Sequence, residues 1–288
     1  MPDQAEPLRQ LIKEQSLPAS VRQTKLIAVA SGKGGVGKTN IVLNLALTLA
    51  EQGKKVAVLD GDFGFSNIDI LLGLKPEYSL QDVLDGKVSL KNALMKGPHG
   101  LYFVSGGAGI PADESRSLLA VSRFAKELSS IDGEFDLIYI DFGAGFGSLT
   151  EEMMRLCDDL LLVVTPENTS LADAYALLKM ISIKGSVPHV HLVVNRVSSF
   201  VEGSATAERF MLVVSKFLTM NLRILGYVLE DAAVSRAVNR QMPFIIGEPQ
   251  SSVTKCLNQL AKNSLSEERK LTDEHGIKAF FKRFFKRN

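Results

Sequence analysis

The stretch that decides the fold is Ser31-Gly32-Lys33-Gly34-Gly35-Val36-Gly37-Lys38-Thr39. One glycine, four further residues and then Gly-Lys-Thr match the spacing of a phosphate-binding loop, the P-loop. Glycines allow such a loop to close around phosphate oxygens without Cβ clashes, and backbone N–H groups then point at the anion. We therefore expect nucleotide binding, with Lys38 at the β- and γ-phosphates and the Thr39 hydroxyl on Mg²⁺. The alternative interpretation is a glycine-rich turn with a structural role.

The flanking sequence has the order that this loop requires. Leu26–Ala30 predicts a buried strand immediately before it, and Ile41–Ala50 predicts a helix immediately after it. The unpaired N–H groups at the start of that helix add to the anion site. A strand, a loop and a helix in this order favour nucleotide binding over a structural turn.

Apolar runs recur along the rest of the chain, and most of them are continuous rather than alternating. The predicted strands are Leu26–Ala30, Lys55–Asp60, Leu101–Ser105, Leu137–Asp141, Leu160–Thr165, His189–Asn195 and Leu225–Leu229. Helical patterns separate them, among them Pro111–Ser130, Leu171–Ile183 and Ala205–Met220. Continuous apolar strands are typical of a parallel sheet that helices cover on both faces. The predicted fold class is therefore α/β, a doubly wound, mostly parallel sheet that binds ligands at the carboxyl ends of its strands.

Composition sets the predicted organisation of the chain. Its 288 residues and 45% hydrophobic content suit one large α/β domain with appendages. We predict a polar leader over 1–22, the main domain over 23–262, a charged linker over 263–276 and a terminal helix over 277–288. A net charge of +1 provides no overall basic field for nucleic acid.

Two negative observations favour a cytoplasmic protein. Cys157 and Cys256 lie far apart without a C-x-x-C partner, so we expect neither a disulfide framework nor a zinc site. The N-terminus has no secretion signal, and no apolar run reaches the roughly 18 residues that span a bilayer.

Acidic residues follow two of the predicted strands. Asp60-Gly61-Asp62 ends the second strand, and Asp141-Phe142-Gly143 ends the fourth. ATP hydrolysis needs Mg²⁺ beside the β- and γ-phosphate oxygens and a water in line with the γ-phosphorus. We expect Asp141 to position Mg²⁺ through its waters, Asp60 to belong to the same metal site, and Asp62 to orient the attacking water. Helix capping is the alternative role for these aspartates, whereas a kinase D-F-G is disfavoured because no H-R-D loop accompanies it.

The second lysine of the loop, Lys33, carries a family resemblance. The pattern K-G-G-x-G-K-T resembles the deviant Walker A loop of the MinD/ParA-type P-loop ATPases. The resemblance implies an ATP-dependent homodimer in which Lys33 reaches the partner's ATP, so Lys33, Lys38 and Asp62 are the expected catalytic residues. The alternative for Lys33 is a solvated loop lysine. D-G-D-F-G-F-S-N-I-D is similar to the family's switch I, and D-F-G-A-G is similar to its switch II except that Gly143 replaces a proline.

The resemblance also implies which residues contact ATP. Asn195 is expected at the adenine, with Arg196 and Glu230 beside it and the segment leading to Pro243-Phe244 flanking the base. The N-K-x-D signature of common GTPases is absent, because Asn195-Arg196-Val197-Ser198 contains no aspartate. The expected ATP contacts are Gly32, Lys33, Gly34, Gly35, Val36, Gly37, Lys38, Thr39, Asn40, Asn195, Arg196 and Glu230, with Thr39, Asp60 and Asp141 at the metal.

The sequence ends in an amphipathic segment over 277–287. Its apolar side chains follow the i, i+3, i+4, i+7, i+8 pattern of one helical face, and cations fill the rest. Such a helix typically lies in a membrane interface, where each cation near an anionic surface adds about 1 kcal/mol. MinD-like ATPases end in a similar targeting helix, and two copies in a dimer bind far more strongly than one. The expected membrane residues are Ile277, Phe280, Phe281, Lys282, Arg283, Phe284 and Phe285; the alternative is a helix docked on the protein's own core.

The leader carries a second resemblance. D-Q-A-x-x-L-R, with Asp3, Gln4, Ala5, Leu8 and Arg9, is similar to the activator motif of the FlhG (YlxH) group of MinD-like flagellar ATPases. That resemblance implies contact with the signal-recognition-type GTPase FlhF, with Gln4 acting near the partner's nucleotide. It also implies flagellar switch-complex (C-ring) proteins as further partners.

Other functions remain open at this point. A cell-division MinD shares the core and the tail but not the leader motif. A ParA-type partitioning ATPase requires a basic surface for DNA, and a nitrogenase-type reductase requires cluster-ligating cysteines. A scaffold without nucleotide is the remaining class.

Overall fold

One eight-stranded sheet forms the centre of the molecule. The computed structural model describes residues 24–62, 67–107, 114–143, 148–183, 189–218, 220, 222–267 and 276–277. The strands are β1 (Lys25–Ala30), β2 (Val56–Gly61), β3 (Met95–Lys96), β4 (Tyr102–Val104), β5 (Leu137–Phe142), β6 (Asp159–Val164), β7 (His189–Val197) and β8 (Leu222–Leu229). Their order in the sheet is β3-β4-β2-β5-β1-β6-β7-β8. Every neighbouring pair is parallel except β3 and β4, which confirms the predicted fold class.

Helices cover both faces of this sheet. Those of the described residues are α1 (Lys38–Glu51), α2 (Ile68–Leu72), α3 (Leu80–Asp85), α4 (Leu90–Ala93), α5 (Glu114–Ser129), α6 (Ser148–Leu156), α7 (Asn168–Ile183), α8 (Phe200–Leu218), α9 (Ala232–Asn239), α10 (Phe244–Gly247) and α11 (Ser252–Glu267), with a 3-10 turn at Pro98–Gly100. Successive side chains of a strand point to opposite faces. In β1, Leu26, Ala28 and Ala30 accordingly join one core under α3–α8, whereas Ile27 and Val29 join the other under α1, α2 and α9–α11.

The amino ends of the central strands carry a buried ionic cluster. Lys25 Nζ lies 2.5 Å from Asp159 Oδ2, and His191 Nε2 lies 2.9 Å from the same oxygen. Burial by itself raises the pKa of Asp159, but the hydrogen bond with His191 and the charge of Lys25 outweigh it. The pKa of Asp159 therefore lies below its ordinary value, and the carboxylate stays ionised.

Asp158, at the same end of the sheet, joins the first strand to the end of the described chain. Its Oδ2 accepts the N–H of Leu26 and the N–H of Gly276, both at 2.9 Å. The next residue, Ile277, is 1% exposed and packs into the core under α3–α8. In this conformation Ile277 does not face a membrane but packs on the protein's own core, as in the alternative named above.

The other boundaries differ from the predicted ones in understandable places. The antiparallel strand β3 was not predicted, since two residues are too few for a periodic pattern. The helix predicted over Ala205–Met220 begins earlier, at Phe200. The predicted linker 263–276 overlaps α11, which continues to Glu267. This part of the helix is anchored, because Asn263 Nδ2 donates to Leu225 O at 2.7 Å and Leu265 packs on the core. Among the described residues, no helix is long and apolar enough to cross a membrane.

Candidate functional site

The glycine-rich loop lies between β1 and α1, at the carboxyl end of β1. A Cβ on Gly32 would lie 2.1 Å from the backbone of Asp173 and Ala174 in α7, so only glycine fits there. Gly37, the residue before α1, has φ of 88°, in the left-handed region that glycine adopts without strain. The loop is therefore packed tightly against α7, and its backbone bends directly into the start of α1.

Lys38, the P-loop lysine, forms a buried ion pair with Asp141 of β5. Its Nζ lies 2.5 Å from Asp141 Oδ1, and the two side chains are 8% and 1% exposed. Asp141 Oδ2 is buried and has no hydrogen-bond partner among the residues that the structure describes. A carboxylate oxygen that is buried beside a phosphate-binding loop and still accepts a ligand fits the hydration shell of a bound Mg²⁺. The expected place of Asp141 in a metal site is thus compatible with the geometry.

Asp60 and Asp141 are neighbours across the sheet, because β2 and β5 pair in parallel with these two residues opposite each other. Asp60 is nevertheless engaged by backbone groups. Its Oδ1 accepts the N–H of Asp62 at 3.0 Å, and its Oδ2 accepts the N–H of Asn67 at 3.0 Å and of Ile68 at 3.4 Å. The expected metal role of Asp60 is therefore not supported, since its carboxylate fixes the turn after β2 and the start of α2, the capping role named above.

Asp62 rests directly on Gly143, the residue that follows β5. A Cβ on Gly143 would lie 2.7 Å from Asp62 Cγ and 2.9 Å from each of its carboxylate oxygens. The turn after β2 and the turn after β5 thus meet at this contact. The glycine that replaces the family's proline leaves room for the carboxylate that we expect to orient water.

Lys33 points away from Lys38 and is held on the surface of its own chain. Its Nζ lies 2.8 Å from Glu167 Oε2 and 3.2 Å from Thr169 Oγ1. The side chains of Lys33 and Glu167 are 42% and 59% exposed. The hydrogen bond from Lys33, followed by its charge, lowers the pKa of Glu167. Exposed pairs of this kind are weak and easily exchanged for another partner.

The expected adenine residues lie at the carboxyl ends of β7 and β8. Asn195 is 7% exposed, and its Nδ2 donates to the P-loop carbonyl of Val36 at 2.7 Å. Arg196 has φ of 56° and is exposed, and the exposed Glu230 donates its N–H to Val197 O. The structure thus brings Asn195 into contact with the loop, while Arg196 and Glu230 lie on the adjacent strand ends.

The segment after Pro243 reaches the same region from the other side. Ile245 donates its N–H to Asn44 Oδ1 of α1 at 3.1 Å, and Phe244 is 1% exposed. The carbonyl oxygen of Asn40, in the first turn of α1, accepts a hydrogen bond from Asn44 Nδ2 at 2.8 Å. The predicted flank of the base is therefore attached to the helix that begins at the P-loop.

Sequence reasoning missed Glu167 and Thr169, which hold Lys33. They follow β6 in the segment Thr165-Pro166-Glu167-Asn168-Thr169. A carboxylate just beyond a buried strand was the signal that led to Asp60 and Asp141, and the same signal applied to β6 identifies Glu167. The leader residues Asp3, Gln4, Ala5, Leu8 and Arg9 and the tail residues after Ile277 lie outside the described ranges.

Comparison with known proteins agrees with this geometry. FleN, an antiactivator of Pseudomonas aeruginosa, is 34% identical over 84% of this chain and 87% of its own length. YlxH, a flagellum site-determining protein of Helicobacter pylori, is 31% identical over 91% of this chain and 90% of its own. The cell-division ATPase MinD of Pyrococcus furiosus superposes with a TM-score of 0.68 at 26% identity, over 84% of this chain and 98% of its own.

Two further matches complete the comparison. MinD of Pyrococcus horikoshii, solved in complex with Mg-ADP, has a TM-score of 0.67 at 24% identity over 87% of this chain and 99% of its own, which shows a shared fold. The profile of the ParA family, described as an NUBPL iron-transfer P-loop NTPase, matches residues 22–265. The chain therefore belongs to the ParA/MinD family of P-loop NTPases and is an ATPase that uses ATP and Mg²⁺.

Proposed function

We propose that this protein is an ATP-dependent dimerising switch that regulates flagellar number and placement from the inner face of the cell membrane. The observation that carries the proposal is the separation of the two loop lysines. Lys38 is buried against Asp141, whereas the side chain of Lys33 is 42% exposed and is held by Glu167 and Thr169. One lysine serves the chain's own nucleotide, and the other is placed to leave for the nucleotide of a second copy.

The residues of the site divide the work of hydrolysis. Lys38 leaves Asp141 for the β- and γ-phosphates when ATP binds, because a polyphosphate carries more charge than one carboxylate. Asp141 and the Thr39 hydroxyl would hold Mg²⁺, whose charge would offset the negative charge that develops on the phosphate oxygens. Asp62, which packs against Gly143, orients the attacking water. Asn195 contacts the adenine. Lys33 stabilises the transition state in the partner's site, so hydrolysis depends on dimerisation.

Membrane attachment follows from the tail. Two amphipathic helices in one dimer give far stronger binding to an anionic bilayer than one, through effective concentration. ATP then recruits the protein to the membrane, and hydrolysis returns it to the cytoplasm. The proposed division of the chain is a leader over 1–22, an ATPase domain from 23 to the end of α11, a connecting segment and the terminal amphipathic helix.

The flagellar assignment draws on the names of two relatives and on the leader. The relatives are an antiactivator and a flagellum site-determining protein. The leader motif with Gln4 is proposed to stimulate the GTPase FlhF, and C-ring proteins are proposed as further partners. A septum site-determining function is the second candidate, because MinD of Helicobacter pylori is 31% identical over 89% of this chain and 96% of its own.

Light scattering tests the dimer directly. Asp62→Ala with ATP and Mg²⁺ should accumulate as a dimer, since hydrolysis is slowed, and it should sediment with anionic vesicles. Asp62→Ala combined with Lys33→Ala should bind ATP but remain monomeric. Equal dimerisation of the two variants would show that Lys33 has no role across the interface.

A GTPase assay separates the two candidate functions. The full-length protein should raise the GTP turnover of an FlhF-type GTPase, and Gln4→Ala should remove the stimulation while its own ATPase activity stays unchanged. If the wild-type protein gives no stimulation, the flagellar assignment fails and the septum-site function becomes the better one.

A further inference from the structure

The amino-terminal end of the sheet carries an apolar surface that the proposed function does not use. Leu212 and Phe217 of α8 are 68% and 63% exposed, Val213 is 38% exposed, and Ile183, the last residue of α7, is 73% exposed. We call Ile183, Leu212, Val213 and Phe217 the α7–α8 surface. Both helices end at this edge, because β7 and β8 begin there. Large side chains exposed together at one end of two adjacent helices mark an interaction site.

The charges around this surface are mainly positive. Lys179 of α7 and Arg209 and Lys216 of α8 outnumber the one nearby acidic residue of α8, Glu208, which lies one turn before Leu212. All three cations are exposed. Lys216 Nζ lies 5.4 Å from the centre of the Phe217 ring, so a cation and an aromatic ring face the solvent together. Aromatic and aliphatic side chains flanked by cations are the composition that suits the headgroup region of an anionic bilayer.

A chain of contacts places the α7–α8 surface beside the start of the tail. Gly276 is bonded to Asp158 just before β6, and Asp158 O accepts the N–H of His189 at the start of β7. The next residue of β7, Val190, pairs with Leu222 at the start of β8, which follows α8. Strands are about 4.8 Å apart, so Asp158, which binds Gly276, lies about 10 Å from the start of the strand that follows α8.

We propose that the α7–α8 surface is a second membrane contact, which rests on an anionic bilayer beside the tail helix. The inference rests on the proposed membrane attachment of the tail. Charge decides between the possible occupants of the surface. The tail contains five cations over 278–287 and would be repelled by Lys179, Arg209 and Lys216, and a second copy would bring three like charges against them. Anionic lipid headgroups are attracted by all three.

The two contacts together fix the orientation of the protein on the membrane. One contact fixes a point of attachment but no orientation, whereas a second contact on α8 holds the amino ends of the strands against the lipid. The nucleotide site, at the carboxyl ends of the strands, then lies away from the lipid.

Vesicle binding of the full-length protein tests the proposal. We use Asp62→Ala with ATP and Mg²⁺, and vesicles of phosphatidylcholine with or without phosphatidylglycerol. The double substitution Leu212→Ser/Phe217→Ser should lower the partition coefficient on the anionic vesicles by roughly tenfold or more. The matched control is Val201→Ser on the same helix, 79% exposed and about 24 Å along the axis from Phe217, which should leave it unchanged. Arg209→Gln/Lys216→Gln should weaken binding to the anionic vesicles only.

Three results would overturn the proposal. Unchanged binding of the Leu212/Phe217 variant shows that lipid does not contact the surface. Increased binding without ATP shows that the surface holds the tail, and loss of the dimer in light scattering shows that it joins two copies. Phe284→Ser/Phe285→Ser tests the tail separately. If that variant still binds the anionic vesicles, the proposed membrane attachment by the tail fails. If it loses binding while the Leu212/Phe217 variant binds normally, only the inference about the α7–α8 surface is refuted.

Discussion

Removing both members of the buried Lys38–Asp141 pair should destabilise the nucleotide-free protein by clearly less than the sum of the two single removals. The two side chains are 8% and 1% exposed, with 2.5 Å between Nζ and Oδ1. Asp141→Asn leaves a buried cation without a counter-charge, which costs about 3–5 kcal/mol of unfolding free energy. Lys38→Met likewise leaves the Asp141 carboxylate buried without a counter-charge, at a similar cost in unfolding free energy. The double variant buries no charge, so its loss should fall short of the sum by about 2–3 kcal/mol.

Urea unfolding of the four proteins at neutral pH without nucleotide measures this coupling energy. The matched control is Lys91 with Glu134, whose side chains are 62% and 42% exposed at an N···O distance of 2.6 Å. Its double variant should be nearly additive, because exposed pairs contribute little. If the Lys38 and Asp141 substitutions are also additive to within about 0.5 kcal/mol, the reasoning about the buried pair is refuted.

Three further predictions follow from single contacts. Glu167→Gln weakens the hold on Lys33, so the ATP-dependent dimer should form at lower ATP concentration in light scattering; an unchanged titration contradicts this. Gly143→Ala places a Cβ 2.7 Å from Asp62 Cγ and should lower kcat by roughly tenfold at unchanged KM for ATP in a phosphate-release assay, whereas an unaltered kcat means that Asp62 has room to move. The depressed pKa of Asp159 makes its contribution to stability full above ~3.9 and lost as pH falls through the folded-state value. Asp159→Asn should therefore cost stability in urea unfolding at neutral pH, and the cost should shrink as the pH is lowered below ~3.9; a cost that does not change with pH would contradict the assignment.

The sheet was predictable because most of its strands have a clear hydrophobic pattern. β1, β5 and β6 are continuous apolar runs that remain buried on both faces, and no alternating pattern competes with that interpretation. The loop between β1 and α1 was predictable because glycine, lysine and threonine at this spacing meet one chemical need. The order of the strands in the sheet could not be predicted, since it depends on which apolar faces the helices bury. The strand β3 could not be predicted either, because two residues are too few to show a pattern.

The site was predictable where a residue's chemistry is unusual at its place in the chain. Asp141 lies at a strand end with its carboxylate facing Lys38 of the P-loop, which is compatible with its predicted metal role. Asp60 lies at an equivalent strand end, but its carboxylate binds backbone N–H groups seven and eight residues along the chain, which the spacing did not indicate. The partner of Lys33 comes from 134 residues away in sequence, and periodicity and spacing carry no information about such a contact. The burial of Ile277 was equally hidden, since one face of an amphipathic helix suits a membrane and a protein core alike.

The close approach of Gly32 to α7 has a kinetic consequence. With 2.1 Å between a hypothetical Cβ and the backbone of Asp173 and Ala174, the loop is packed against α7, and Glu167 lies immediately before that helix. Separation of Lys33 from Glu167 needs no movement of the main chain. Rotation about the side-chain bonds of Lys33 is sufficient, and for an exposed residue it takes picoseconds to nanoseconds. In the proposed switch, the encounter of two ATP-bound copies, and not the release of Lys33, would therefore limit the rate of dimerisation.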